Sequence, residues 1–223
     1  MGNTGVMSDH QGLMKKRWWV ALAAVLMQLC LGTVYAWSIF KKPMMEANSW
    51  GETQTQFAFM IYGAVFALAV AFGGNLVDRL GPRIVALTGG ALFSAGVFLG
   101  GLANQLQRIE LLVVAYGLVG GLGGGFGYVT PIATLIRWFP DKRGLVTGLA
   151  VMGYGLGAFF MGNAGPSLIM NLGIPTTFYI WGGASLVVIT ASAFILRNPP
   201  DQWHLGVPLS RTGSGQGSGR SSS

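Results

Sequence analysis

The stretch Gly74-Asn75-Leu76-Val77-Asp78-Arg79-Leu80-Gly81-Pro82-Arg83 joins two runs that hold no Asp, Glu, Lys, Arg or His, Phe57–Val77 and Ile84–Ala103. Each run reaches the length of about 20 residues that a helix needs to cross a hydrocarbon core about 30 Å thick. Asp78 ends one run, Gly81 is suited to a left-handed turn, and Pro82 is suited to the first position of a new helix. The stretch therefore reads as a tight charged hairpin between two membrane helices. Working outward, four more uncharged runs pass the same test: Trp18–Phe40, Leu111–Ile136, Leu145–Met170 and Pro175–Leu196. In lipid every backbone polar group needs a partner within its own segment or barrel, and barrel strands would be about 10 residues long with alternating polarity. The expected fold is all-α, a polytopic bundle of six transmembrane helices.

Composition agrees. Apolar residues make up 52% of the 223 and charged residues 9%, against roughly 25% charged in soluble domains. Such a chain cannot clothe a water-facing surface, and its hydrophobicity excludes wholesale disorder. The single Cys30 precludes an intramolecular disulfide, and no Cys or His cluster or phosphate-loop motif suggests a metal or cofactor. The 14 Lys and Arg are spread thinly, so no nucleic-acid patch forms. Lys41, Lys42 and Arg108 fall on one side of the six spans and the other eleven basic residues on the other, which puts both termini in the cytoplasm by the positive-inside rule. Trp18, Trp19, Trp138 and Trp203 lie near those boundaries as interfacial anchors. The expected organisation is a cytoplasmic segment over 1–17, the bundle over 18–196, and a Pro/Gly/Ser-rich tail or start of a central loop over 197–223. The first span is too long for a signal-peptide core and should remain as a helix. The lipid bilayer is the first partner implied.

Glycine occupies 36 positions. Membrane helices gain little hydrophobic energy by meeting and rely on close backbone contact, so small residues four apart mark packing faces. Gly117, Gly121 and Gly125 form such a row on span four, and Gly153 and Gly157 on span five. Pro131 and Pro166 lie inside the same two spans and favour kinks. A sliding face and a static one fit this pattern equally.

The hairpin's spacing, G-x-L-x-D-R-x-G-x-R, resembles the signature loop of the major facilitator superfamily between its second and third helices. Pro82 stands where that superfamily usually has a basic residue. A second set is similar to the oxalate/formate antiporter family within it: Arg137-Trp138-Phe139-Pro140-Asp141-Lys142-Arg143-Gly144-Leu145, Gly153-Tyr154-Gly155-Leu156-Gly157, Tyr35-Ala36-Trp37 and Asn198-Pro199-Pro200-Asp201. The resemblance runs from Trp18 to Trp203 and covers the amino-terminal six helices of a twelve-helix fold. It implies a multi-pass protein of a cell membrane (a bacterial inner membrane by this family) that moves small organic anions such as oxalate, formate or monocarboxylates by alternating access. It further implies that Tyr35, Tyr128 and Tyr154, with Trp37, line the substrate cavity. Gly74, Asp78, Arg79, Gly81 and Arg83, and Arg137, Asp141, Lys142 and Arg143, would form the gate, with Asp78 pairing with Arg143. Val34 precedes Tyr35 where oxalate-carrying members have an amide side chain.

No cation lies within the six runs, whereas a buried carboxylate needs neutralising donors. In the family those cations lie on the second six helices. The chain then reads as a fragment, as one subunit of a split carrier needing a cationic half, or as a self-assembling unit that carries dianions poorly. The rival functions are a non-transporting adaptor, suited by the Gly faces, an inactive half, a channel, which the uniformly apolar spans disfavour, and a membrane enzyme, for which no span supplies an acid, base or nucleophile set.

Overall fold

The computed structural model describes residues 3–200. Asp201, Trp203, His204 and the tail Arg211–Ser223 lie outside the described residues. The chain forms α1 (Asn3–Gly32), a 3-10 turn (Thr33–Ala36), α2 (Trp37–Asn48), α3 (Glu52–Leu80), α4 (Pro82–Gln105), α5 (Ile109–Leu112), a π-helical stretch (Val113–Gly120), α6 (Gly121–Trp138), α7 (Arg143–Leu172) and α8 (Ile174–Ile195). These make six membrane-spanning helices: Lys16–Asn48, Glu52–Leu80, Pro82–Gln105, Ile109–Trp138, Arg143–Leu172 and Ile174–Ile195. The described residues contain no strand.

Five of the six runs read from the sequence sit inside these helices and the sixth passes its helix by one residue, Leu196, but the ends differ. Span one continues through its 3-10 turn to Asn48 rather than stopping at Phe40. Charge alone did not end the helix, because Lys41 and Lys42 project from its last turns and take Glu52 and Glu46 as partners at 2.8 and 3.9 Å. Ser49, in the left-handed region at φ 55°, closes it. The hairpin turns differently as well. Gly81 has φ 82° and ψ 157°, a conformation open essentially to Gly alone, rather than the left-handed helical one expected. Pro82 then opens α4 as anticipated. The eight-residue π-helical stretch has no counterpart in the sequence reading. Such stretches are rare and usually brief, and this one carries Tyr116 into the core.

Span four is the hub of the bundle, touching spans one, two and three; α1 packs against α7 and α8 besides, and α4 against α8. Glycine makes these approaches possible. On span four a Cβ at Gly117 would lie 3.0 Å from the Ala58 carbonyl oxygen, one at Gly121 2.9 Å from that of Tyr62, and one at Gly125 2.7 Å from that of Phe66. The row thus faces α3. Gly153 faces Val25 of α1 at 3.0 Å, and a Cβ at Gly157 would overlap the Leu29 carbonyl. The core between the helices is aromatic and aliphatic, with Met27, Leu31, Phe40, Phe93, Tyr116 and Phe178 fully buried. Buried Asn104 ties α4 to α2, accepting from Asn48 at 3.0 Å and donating to the Gly100 carbonyl at 2.8 Å. Near the midpoint of the bundle Trp181 of α8 donates to the Thr33 hydroxyl at 2.7 Å.

Candidate functional site

Three of the four aromatic residues singled out in the sequence meet on one side of the bundle. The Tyr154 ring lies 5.3 Å from Tyr35 and 5.0 Å from Tyr128, edge to face in both cases. Tyr154 is buried, Tyr128 half-buried and Tyr35 60% exposed, so the trio forms a wall that opens outward from the six helices. Three different spans build it. The Gly153 and Gly157 contacts draw α7 onto α1, which brings Tyr154 beside Tyr35, and span four brings Tyr128. Tyr62 of α3 is buried and reaches them through Phe66, whose ring lies 6.0 Å from Tyr62, 5.5 Å from Tyr128 and 6.4 Å from Tyr154. The wall therefore gathers three phenolic side chains, from three spans, in an otherwise apolar setting.

Trp37 stands apart from this trio. It is buried, stacked between Phe59 at 5.6 Å and Tyr116 at 4.8 Å, and reaches the wall indirectly, through Phe59 or Tyr116 to Tyr62 and then Phe66. The indole nitrogen of Trp37 and the hydroxyl of Tyr116 have no hydrogen-bond partner in the structure. Gln28 was missed in the sequence. It is fully buried on α1, donates to the Tyr128 carbonyl at 3.3 Å, and leaves its own carbonyl oxygen unpaired. One amide in an apolar run carries no periodic signal, so only its polarity in a greasy context would have drawn notice.

At the end of the bundle carrying the α3–α4 turn, Asp78 pairs with Arg137, not with Arg143 as expected. The packing explains the change. Arg137 closes α6, which lies directly against α3, whereas Arg143 begins α7, whose main neighbour is α1. Arg143 and Lys142 are exposed. Arg137 also donates to Asn198 at 2.8 Å, and Trp138 donates to the Arg197 carbonyl at 2.6 Å. One short segment thus links the ends of α3, α6 and α8. Arg83 lies over the Phe194 ring, 4.4 Å from its centre; Arg79 is exposed and Gly74 has open space around it. Asp141 is held from the other side by Arg17, 3.5 Å away, whose guanidinium also covers Phe139 at 4.7 Å. Arg17 is only 4% exposed, which its place before the first apolar run did not suggest.

Residues 12–211 match the family model described as Major Facilitator Superfamily. The chain belongs to the major facilitator superfamily. Its sequence is oxalate/formate antiporter-like: it is 33% identical to the oxalate:formate antiporter of Oxalobacter formigenes over 193 residues, covering 86% of this chain and 45% of that protein. It is 29% identical to the MFS-type transporter YhjX of Escherichia coli over 188 residues, 84% of this chain and 46% of the relative. Against monocarboxylate transporter 13 of Rattus norvegicus the identity is 29% over 180 residues, 80% and 40% of the two chains. The chain spans about half the length of the curated relatives it matches. As a superfamily member with six membrane-spanning helices it is a multi-pass membrane protein of transporter ancestry, related to carriers of small organic anions.

Proposed function

We propose that this bundle is one six-helix half of a secondary carrier for small carboxylates, and that it works by alternating access with a second, cation-bearing half. The observation that carries the reading is the convergence of Tyr35, Tyr128 and Tyr154 from three spans on a face that opens outward from the bundle. Phenolic O–H groups donate to carboxylate oxygens, and hydrogen bonds to charged groups contribute about 1.5–3 kcal/mol each. The rings beneath keep water from competing. Trp37 supports the wall from behind through Tyr116 and Tyr62.

Three donors do not neutralise a dianion. Among the described residues the tyrosine wall has no Lys or Arg within it. The partner half, which the length of the relatives suggests, would supply those charges. Both termini would be cytoplasmic, which places the Asp78–Arg137–Asn198 cluster at the inner mouth. There it would hold the ends of α3, α6 and α8 together in one state and release them in the other, a two-state contact of the kind that switches rigid bodies. Glycine-backed contacts between α1 and α7 would let the wall move as a unit.

The test is exchange of labelled oxalate and formate by the two halves reconstituted together, with Tyr35, Tyr128 and Tyr154 changed to Phe in combination. Loss of saturable uptake with retained assembly supports the tyrosines as donors. Unchanged uptake assigns them to packing, and the site lies elsewhere.

A further inference from the structure

Along the second half of α1 and along α8, away from the tyrosine wall, runs a groove of three adjoining depressions that the carrier reading does not use. Its end at the membrane boundary is a depression of 330 Å³ bordered by Lys16, Trp19, Trp138, Arg197 and Asn198, within the range of about 300–1,000 Å³ for small-molecule sites. Trp19 and Ile195 are shared with a second, almost wholly apolar depression of 290 Å³ that follows α1 and α8 inward past Leu22, Leu26 and Ala191. Val188 leads on to a third, of 240 Å³, ending near Cys30 and Ile180. The groove therefore has a polar head and an apolar run of successive turns behind it.

The head is cationic. Lys16 and Arg197 form no ion pair among the described residues, and no carboxylate occurs among the described residues lining the depression. Trp19 is 62% exposed beside them, placed as interfacial indoles are at headgroup level. A solute from water would have no use for the apolar run, and an acyl chain alone would have no use for the two cations. We infer that this groove is a binding site for one anionic phospholipid: its phosphate lies between Lys16 and Arg197, and one acyl chain lies along α1 and α8. Basic pockets between membrane helices are a recognised setting for such headgroups. Because the Arg197 carbonyl also receives the Trp138 indole, the lipid would brace the α6–α8 contact next to the gate.

Native mass spectrometry of the full chain, delipidated in detergent and titrated with phosphatidylglycerol or phosphatidylcholine, tests the site. At about 1 kcal/mol per basic residue near a headgroup, two cations imply roughly thirtyfold tighter binding of the anionic lipid. Lys16→Gln with Arg197→Gln should erase that preference, and Lys16→Arg with Arg197→Lys should keep it. Both side chains are exposed, so the melting temperature should stay within a few degrees across the set. Filling the apolar run with Ala191→Trp should weaken phosphatidylglycerol at least fivefold. Equal affinity for the two lipids, a preference that survives the double Gln change, or full competition by glycerol phosphate at the lipid's own concentration would each overturn the proposal.

Discussion

Tyr154 shows how one side chain serves two ends. Its ring packs edge to face against Tyr35 and Tyr128, while its hydroxyl is one of the three donors proposed for a carboxylate. Tyr154→Phe keeps the ring contacts and removes the donor. In the reconstituted two-half carrier it should raise the KM for carboxylate roughly 10- to 150-fold with little change in melting temperature, as expected for one hydrogen bond to a charged group. A large fall in melting temperature at unchanged KM would make the residue a packing element. Neighbouring glycines separate close contact from mere flexibility. Gly157→Ala forces a methyl into the Leu29 carbonyl and should cost about 1–3 kcal/mol in detergent unfolding; Gly155→Ala, with nothing within 4 Å of its added methyl, should be neutral or slightly stabilising. Equal effects at the two positions would refute the close α1–α7 contact. The sequence marked Tyr35, Tyr128 and Tyr154 because the family resemblance puts them at cavity-lining positions. It did not mark Gln28, whose importance depends on the Tyr128 carbonyl contributed by another span.

Among the elements, the helix ends carry the consequences of the corrected pairing. Asp78 and Arg137 are partly exposed, with side chains 64% and 32% accessible, and exposed ion pairs contribute at most about 1 kcal/mol. Asp78→Asn should therefore leave the melting temperature nearly unchanged. If the pair closes the inner mouth, the same change should lower exchange at least tenfold in the two-half carrier, and Arg137→Gln, which frees Asn198 as well, should lower it further. A stability loss without a transport defect would reduce the pair to a fastening. Six apolar runs were legible because the hydrocarbon core imposes a length and excludes charge, two constraints a sequence displays directly. Helix ends were less legible, since Lys41 and Lys42 lie on helix and find acidic partners there. The partner of Asp78 was not legible at all, because Arg137 and Arg143 flank the same short loop and only the packing of α6 on α3 chooses between them.

Across the whole molecule, the six helices divide their work. Span four and the α4–α8 contact hold a dense aromatic core, the 3-10 turn of span one, α6 and α7 present the tyrosine wall, and the ends of α3, α6 and α8 are fastened together. Charge is confined to the helix ends, and the wall itself is neutral. On this account the bundle supplies donors and shape, and the neutralising cations come from a second half. Labelled oxalate exchange in liposomes, measured with this chain alone and with the chain co-reconstituted with a cation-bearing six-helix half, tests that division most directly. The account predicts background uptake for the chain alone and saturable exchange for the pair; robust, saturable exchange by the chain alone would contradict it.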